Sequence, residues 1–272
     1  MLHALKSETS RSVAVNSYNE IFITGATSGF GKAIAYKFAA QNDHLILCGR
    51  RMERLLAIKN ELETEYGVEV RVFSFDIQDK NQIDEALNTW LASNPRIDIL
   101  VNNAGLAAGL SSIEEGSLDD WERMIDTNVK GLLYISRKIL PLLKQQRSGH
   151  VFNISSTAGK IVYKNGNVYC ATKHAVDALS QAMRIDLLPY GIKVTCISPG
   201  MAETEFSLVR FNGNEEKAKQ VYTDTEPLQA HDIADAVAYC ANLPTHVCIN
   251  DLTITCLNQA NGIYVQKNAD KL

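Results

Sequence analysis

The sequence predicts a single α/β domain in which helices cover both faces of a parallel β-sheet. Short apolar runs of strand length alternate with helical patterns along nearly the whole chain, which is typical of a doubly wound sheet. The first strand, 20–24, passes through a glycine-rich turn directly into a helix at 32–40. With 272 residues, 46% of them hydrophobic, the chain can bury one large core. We expect the domain to span 19–272, and the polar segment 1–18 to be a flexible extension.

The composition of the chain argues against several classes of protein. The net charge is −4 and both signs are interspersed, so we expect no nucleic-acid partner. No apolar run is long enough to cross a membrane, and segment 1–18 lacks the apolar core of a secretory signal. The six cysteines form no C-x-x-C pair and the six histidines show no ligand spacing, so we expect buried thiols and no metal. Scattered thiols fit a reducing compartment, and we expect a cytoplasmic protein.

The order of the elements predicts where the functional site lies. In a doubly wound sheet, ligands bind at the edge where the carboxyl ends of the parallel strands meet. We expect strands at 20–24, 44–48, 70–75, 97–101, 150–154, 193–197 and 252–255. We expect helices at 32–40, 51–66, 82–92, 118–143, 167–188 and 233–243, the fourth of them ended or kinked by Pro141. The least regular long segment, 201–225, follows a strand end and is a candidate lid.

A glycine-rich turn joins the first strand to the first helix. Glycine lets the backbone approach a pyrophosphate, and a helix N-terminus offers free N–H groups and the positive end of its dipole. The spacing is G-x-x-x-G-x-G, which is neither a Walker loop nor the G-x-G-x-x-G fingerprint. Its place between strand and helix still predicts a dinucleotide site, formed by Gly25, Ala26, Thr27, Ser28, Gly29, Phe30 and Gly31.

The residues after the second strand indicate which dinucleotide binds. An acidic residue there would hold the ribose 2′-hydroxyl of NAD, but Arg50 and Arg51 occupy this place. Guanidinium groups match the geometry of phosphate, so the pair favours NADP(H) with its 2′-phosphate. The alternative is that an arginine, Arg51 more readily than Arg50, only begins the charged helix that follows.

Side chains at the ends of the third and fourth strands extend the predicted cofactor site. Asp76 is placed to accept the adenine amino group, with Ile77 against the ring, although a capping or turn role fits its position equally well. Asn103, Ala104 and Gly105 suit a ribose packed close to the backbone, and a plain turn is the alternative.

The last predicted cofactor contacts lie at the end of the sixth strand and in the candidate lid. Pro199 and Gly200 end that strand, and the segment after them is placed to fold over the nicotinamide half of the cofactor. Thr204 is placed to reach a cofactor amide or phosphate.

Four polar residues form the predicted reaction centre. Tyr169 and Lys173 are four residues apart, so a helix places them on one face. A nearby cation favours the phenolate, so we expect Lys173 to lower the pKa of Tyr169 and make it a general acid–base for an alcohol or carbonyl. Ser156, after the fifth strand, is placed to hold the substrate oxygen. Asn128, inside a helical pattern, either marks a bend or carries a water that links Lys173 to solvent.

Together these motifs resemble the short-chain dehydrogenase/reductase family. They occur in the family's order and spacing over residues 20–258, namely T-G-A-T-S-G-F-G (24–31), N-N-A-G (102–105), Asn128, Ser156, Y-C-A-T-K (169–173) and P-G (199–200). The resemblance implies a seven-stranded Rossmann sheet and usually a homotetramer that pairs through long helices. It also implies a catalytic tetrad of Asn128, Ser156, Tyr169 and Lys173.

A narrower resemblance is to the NADP-dependent 3-hydroxy acid dehydrogenases, a group that includes serine and allo-threonine dehydrogenases and malonic semialdehyde reductase. Its strongest signal is T-E-F-S-L-V-R-F at 204–211, and G-R-R at 49–51 supports it. The resemblance implies hydride exchange between NADP(H) and a small 3-hydroxy acid. Such an acid needs a cation for its carboxylate, and Arg210 or Lys160 is placed to supply it. The alternative for either residue is a solvated charge or a salt bridge between subunits.

Two rival functions stay open at this level. In one, the substrate is another carbonyl compound, such as a 3-oxoacyl group, a sugar or a general carbonyl. In the other, the protein binds NADP(H) without turnover. The segment at 204–211 weighs against the first, and the presence of Tyr169 together with Lys173 weighs against the second.

Overall fold

A seven-stranded parallel sheet forms the centre of the molecule, in a computed structural model that describes residues 18–211 and 213–267. The strands are β1 (Glu20–Thr24), β2 (His44–Gly49), β3 (Val70–Ser74), β4 (Ile99–Asn102), β5 (Gly149–Ile154), β6 (Ile192–Pro199) and β7 (Asp251–Ile254). All six neighbouring pairs are parallel. The predicted doubly wound parallel sheet is therefore confirmed. The predicted flexible extension over 1–18 falls, apart from Tyr18, outside the described residues.

Nine α-helices within the described residues connect the strands and cover both faces of the sheet. They are α1 (Gly29–Ala39), α2 (Met52–Tyr66), α3 (Lys80–Leu91), α4 (Leu118–Ile125), α5 (Leu132–Gln146), α6 (Asn167–Leu187), α7 (Glu205–Arg210), α8 (Glu215–Gln220) and α9 (Ala230–Ala241). In this part of the chain no helix is long and apolar enough to cross a membrane.

The alternation of side chains along β1 explains why both faces are covered. Ile21 and Ile23 point to one face and belong to a core cluster that includes side chains of α1, α2 and α9. Phe22 points to the other face and belongs to a cluster that includes side chains of α3, α5 and α6. All three β1 side chains are fully buried. A strand buried on both faces appears in the sequence as a continuous apolar run, which is the pattern that predicted it.

The strand order places a crevice at the middle of the sheet. The order is β3-β2-β1-β4-β5-β6-β7, so β1 pairs with β2 on one side and with β4 on the other. The chain winds outward in opposite directions from these two central strands. Loops at their carboxyl ends therefore diverge, which opens the ligand crevice of doubly wound sheets.

The predicted long helix at 118–143 is interrupted and extended in the structure. It consists of α4, a π-helical segment at Asp126–Gly131, and α5. Pro141 does not end this helix, because α5 continues to Gln146. Pro141 lies on the exposed side of α5, where water can replace the lost backbone hydrogen bond.

Two other predictions of local structure need correction. Strand β4 begins at Ile99 rather than at 97, because the side chain of Gln146 pairs with both backbone groups of Ile97, over 3.1 and 2.6 Å. The segment 201–225, predicted as irregular, contains α7 and α8. The side chains of Thr204 and Asn214 cap these two helices.

Candidate active site

A cavity of about 540 Å³ opens at the carboxyl edge of the sheet, between the ends of β1 and β4. Most of the predicted site residues line it: Gly25, Thr27, Ser28, Gly29, Phe30, Arg50, Arg51, Asp76, Ile77, Asn103, Ala104, Gly105, Ser156, Tyr169, Lys173, Pro199, Gly200, Thr204 and Arg210. Ala26, Gly31 and Asn128 do not line it. Ala26 and Gly31 are buried beneath the turn, and Asn128 is buried behind Leu106. The predicted cofactor contacts of Ala26 and Gly31 and the relay role of Asn128 therefore stay predictions.

The glycine turn is braced from below by Asn103. Gly25 and Gly29 have positive φ angles of 66° and 52°, which glycine adopts without strain. The Asn103 side-chain amide donates to the carbonyl oxygens of Thr24 (2.8 Å) and Gly25 (3.2 Å). A methyl group on Gly31 would approach the same amide nitrogen to 2.5 Å. The Asn103 amide nitrogen therefore holds the turn, and the ribose contact of this residue stays a prediction.

Arg51 lies against the glycine turn, whereas Arg50 extends toward solvent. Arg51 donates from Nε and Nη2 to Thr27 Oγ1 over 3.2 and 2.8 Å, and from Nη2 to Ser28 Oγ over 3.1 Å. The Arg50 side chain is 62% exposed, and its Nη1 lies 3.7 Å from Asp76 Oδ2. Both arginines line the cavity. Arg51 is also the N-cap residue of α2, which is the alternative role left open for it, so the preference for Arg50 as the phosphate ligand stays a prediction.

The carboxyl end of β3 contributes Asp76 and Ile77 to the cavity. Asp76 Oδ1 accepts a hydrogen bond from the backbone N–H of Gln78 over 3.0 Å, which is the turn role left open by the sequence. Its Oδ2 faces Arg50. Ile77 packs against Gly131 of the π-helical segment, where an added methyl group would lie 2.9 Å from Ile77 Cγ1. The small Gly131 thus lets Ile77 form a close-packed apolar wall.

Helix α6 carries Tyr169 and Lys173 to the cavity beside Ser156. Both side chains are buried, with exposures of 8% and 5%. Lys173 Nζ donates to the carbonyl oxygen of Ile154 over 2.9 Å and lies 6.0 Å from the Tyr169 ring centroid. Ser156 Oγ accepts from the backbone N–H of Ala158 over 3.1 Å. The end of β5 and the first turns of α6 thereby bring together the hydroxyl, phenol and ammonium groups that were predicted to react.

The electrostatics of this centre differ from the sequence-based expectation. Burial raises the pKa of Tyr169 above its ordinary value, and the nearby Tyr163 raises it further. A hydrogen bond with Ser156 and the charge of Arg210 oppose this rise. Burial lowers the pKa of Lys173 to about 8. The predicted lowering of the Tyr169 pKa by Lys173 is therefore wrong for this structure, because burial of the phenol has the largest effect and raises its pKa.

Asn128 joins the π-helical segment to Leu106 and to Thr172, the residue before Lys173. Its Oδ1 accepts from the backbone N–H of Leu106, and its Nδ2 donates to the Leu106 carbonyl and to Thr172 Oγ1, over 2.8, 2.8 and 3.0 Å. A methyl group on Gly105 would lie 3.3 Å from Asn128 Oδ1 and 3.4 Å from Lys173 Nζ. The space beside Gly105 therefore adjoins both groups. A water relay there stays a prediction.

Arg210 in α7 reaches the reaction centre from above. Its Nη2 donates to Tyr163 Oη over 3.0 Å, and its Cζ lies 5.7 Å from the Tyr169 ring centroid. Arg210 Nε is buried and has no hydrogen-bond partner within the described residues. Lys160, the other predicted cation for a substrate carboxylate, instead pairs with Asp177 (2.5 Å) and Asp251 (3.5 Å) and does not line the cavity.

Two residues that line the cavity were not predicted as site residues from the sequence. Tyr163 orients Arg210, and its only sequence signal is an aromatic residue in the loop before α6. Glu205 begins α7 and pairs with Arg51 and Arg54 on the opposite wall. Its preceding residue, Thr204, accepts from the Phe206 N–H and packs over Gly29. Thr204 therefore caps α7 above the glycine turn.

Comparison with known proteins decides the family. The family model described as short chain dehydrogenase matches residues 19–215. The chain belongs to the short-chain dehydrogenase family. This membership confirms the family recognised from the sequence motifs.

Relatives within the short-chain dehydrogenase family are similar over nearly their whole length. The NADP-dependent 3-hydroxy acid dehydrogenase YdfG of Salmonella typhi is 44% identical over 241 residues, which are 88% of this chain and 96% of that protein. The serine 3-dehydrogenase of Agrobacterium fabrum is 44% identical over 240 residues, 88% of this chain and 94% of that protein. The solved closed form of serine dehydrogenase complexed with NADP+ superposes with a TM-score of 0.82 at 42% identity, covering 93% of this chain and 100% of that one.

Proposed function

We propose that this protein is an NADP(H)-dependent oxidoreductase that interconverts a small 3-hydroxy acid and its 3-oxo acid or semialdehyde. The observation that carries the proposal is the position of Tyr169. It lies in one cavity between a glycine turn with Arg51 and the guanidinium group of Arg210. The similarity to NADP-dependent 3-hydroxy acid and serine dehydrogenases supports the same assignment.

The wall of the cavity at β1 and β2 fits NADP(H). Gly25 and Gly29 present backbone without side chains, which lets a pyrophosphate lie close to the turn and the N-terminus of α1. Arg51 and Arg50 supply positive charge for a 2′-phosphate. Ile77 supplies an apolar surface for the adenine. When bound, the nicotinamide of this cofactor donates or accepts the hydride.

In this proposal, proton transfer to and from the substrate oxygen depends on Ser156, Tyr169 and Lys173. Ser156 Oγ and Tyr169 Oη hold the substrate oxygen. The raised pKa of Tyr169 keeps its phenol protonated at neutral pH, which suits donation to a carbonyl oxygen during reduction. In the oxidative direction, Tyr169 Oη takes the hydroxyl proton instead. Lys173 stabilises the phenolate form that accepts this proton and that is left after donation in reduction, and Asn128 supports a proton route past the space beside Gly105.

Arg210 is the proposed ligand of the substrate carboxylate. Its Nε is a buried donor without a partner within the described residues, and such a donor costs stability unless a ligand satisfies it. Tyr163 fixes the guanidinium plane from the other side. A carboxylate bound there would place the carbon that bears the 3-hydroxyl within reach of Tyr169. The substrate would therefore be a short acid with its hydroxyl close to the carboxylate.

An NADP(H)-coupled absorbance assay tests this function. Purified protein is given NADP+ with L-serine, L-allo-threonine or 3-hydroxypropionate, and formation of NADPH is followed. The proposal expects turnover with at least one of these acids. A protein that binds NADPH but turns over only sugars or 3-oxoacyl compounds would instead be a reductase of another carbonyl class. Binding without turnover of any substrate in such a panel would indicate a non-catalytic NADP(H)-binding protein.

We also propose that the protein acts in the cytoplasm as a homotetramer paired through long helices. All six cysteines are free thiols, which fits a reducing compartment. Helices α5 and α6 expose Leu133 and Ile185, with the latter 74% exposed, and apolar side chains of this kind are suited to a subunit contact. Light scattering coupled to size-exclusion chromatography tests the assembly, and a monomeric mass would contradict it.

A further inference from the structure

Glu205 connects the lid side of the cavity to its cofactor side. Its Oε1 lies 2.8 Å from Arg54 Nη1, and its Oε2 lies 3.1 Å from Arg51 Nη1. Arg54 and Arg51 lie at the start of α2, and they precede Glu205 in the sequence by 151 and 154 residues, respectively. The two ion pairs therefore bridge the mouth of the cavity between two separate elements.

Arg51 takes part in both the bridge and the cofactor wall. While Nη1 holds Glu205, Nε and Nη2 bind Thr27 and Ser28 of the glycine turn. Thr204, just before Glu205, packs over Gly29 of the same turn. The start of α7 is thus fixed directly above the backbone that would receive the pyrophosphate. The bridge therefore lies beside the part of the cavity where a dinucleotide is expected to bind.

We propose that Glu205 is a positioning residue that latches α7 over bound NADP(H) and so controls how fast the cofactor leaves. This inference rests on the proposed function. The carboxylate remains ionised at neutral pH, because Arg54 and Arg51 together outweigh the burial effect and lower the pKa of Glu205. The Glu205 side chain is 41% exposed, so each ion pair is modest in strength and weakened by salt. A modest latch suits a step that must reopen in every catalytic cycle.

The alternative role for Glu205 is purely local. An acidic residue in the first turn of a helix interacts favourably with the helix dipole, whatever lies opposite. The two roles predict different behaviour for Arg54. A dipole effect is independent of Arg54, whereas removal of Arg54 breaks one of the two ion pairs of a latch and removal of the Glu205 carboxylate breaks both. Arg54 does not line the cavity, so its replacement tests the latch without removing a predicted cofactor contact.

Stopped-flow fluorescence measures the release rate directly. The complex of the full-length protein with NADPH is mixed with excess NADP+, and the loss of NADPH fluorescence is followed for wild type, Glu205→Gln, Arg54→Met and the double variant. We expect each single variant to release NADPH about 3- to 10-fold faster, equivalent to about 0.7–1.4 kcal/mol. The double variant should be no faster than the faster single variant. Raised salt should speed release from wild type more than from Glu205→Gln, because only wild type has the ion pairs of the latch to lose.

Glu203→Gln is the matched control. Glu203 lies two residues before Glu205 on the same segment, is exposed, and forms no ion pair within the described residues. It should release NADPH at the wild-type rate. Release from Glu205→Gln within twofold of the control, or additive effects of the two single variants, would overturn the latch. Failure of wild type to bind NADPH in the same fluorescence assay would instead reject the proposed function.

Discussion

The two walls of the cavity are held in place by different kinds of interaction. The cofactor wall, formed by residues 25–31 with Asn103 and Arg51, rests on short hydrogen bonds to backbone and hydroxyl groups. The candidate lid, described over residues 201–211 and 213–225, meets that wall through the exposed ion pairs of Glu205. Breaking a buried hydrogen bond is costly, because the polar group left without a partner bears its full desolvation penalty. Exposed ion pairs, by contrast, contribute only about 0–1 kcal/mol each.

Because their contacts differ in strength, the two walls suit different tasks. A preformed cofactor wall avoids the cost of ordering the binding site on each encounter. A lid on weak, salt-sensitive contacts can open to exchange cofactor and substrate. Tyr169 lies where the two walls meet, below Arg210 of the lid and beside Lys173. The predictions below change one wall at a time.

The largest effect is expected at the junction of the two walls. Tyr169→Phe removes the hydroxyl that exchanges the proton and should lower kcat by about 10²–10⁴-fold, the usual contribution of general acid–base catalysis. NADPH affinity, measured by fluorescence titration, should stay within about threefold of wild type, because the ring and its packing remain. Retention of substantial turnover would remove Tyr169 from its proposed role.

The next effect is expected from breaking the cofactor wall. Gly31→Ala would place a methyl group 2.5 Å from the Asn103 amide nitrogen and against the Gly25 carbonyl, so the turn must shift. A strain of about 1–3 kcal/mol should weaken NADPH binding by roughly 5- to 150-fold. Gly67→Ala is the control. Its φ angle of +69° suits glycine and strains an alanine, but nothing lies within 4 Å of the added methyl. The control should lose stability, measured by urea unfolding, without losing NADPH affinity.

A comparison of the two arginines sharpens the description of the cofactor wall. Arg51→Met should weaken NADPH binding by about 10-fold or more, because a hydrogen bond to a charged group contributes about 1.5–3 kcal/mol. NADH binding should change much less, since NADH carries no 2′-phosphate. Arg50→Met should have the smaller effect, given that this side chain is 62% exposed. An equal loss for NADPH and NADH would mean that Arg51 only supports the turn.

The smallest effect on activity is expected from His150, deep in β5 and far from the lid. Burial and, to a smaller extent, the charge of Lys193 lower the pKa of His150 to about 3. The unfolded chain binds the proton below about pH 6.5 and the folded chain does not, so stability is full above pH 6.5 and falls as the pH drops toward 3. Between pH 7 and 5, wild type should lose about 2 kcal/mol more than His150→Gln in urea unfolding. Equal losses would show that His150 becomes protonated without unfolding.

Much of the cofactor wall could be predicted because its interactions are local or periodic. The apolar runs of Ile21–Ile23 and the glycines of the turn carry their structural meaning in the sequence itself. The spacing of Tyr169 and Lys173 places them on one helix face. Sequence alone could not predict that burial would raise the pKa of Tyr169, because burial depends on Phe206 and Arg210 packing over the ring.

The lid was predicted less well because long-range contacts decide its structure. Helices α7 and α8 have only six residues each, too short for a clear periodic pattern. The pairing of Lys160 with Asp177 and Asp251, outside the cavity lining, joins residues up to 91 positions apart. The same holds for Glu205. Charges paired across such separations carry no local signal in a single sequence.

The most direct test of the central claim compares an acid with the same compound lacking its carboxylate. The kcat/KM for L-serine is measured against that for ethanolamine, with NADP+, in wild type and in Arg210→Ala. If Arg210 binds the carboxylate above Tyr169, wild type should prefer the acid by about 100-fold, a value typical of one charge-assisted contact, and the variant should lose most of this preference through a higher KM. An unchanged preference in Arg210→Ala, with KM within about twofold of wild type, would contradict the proposed acid site.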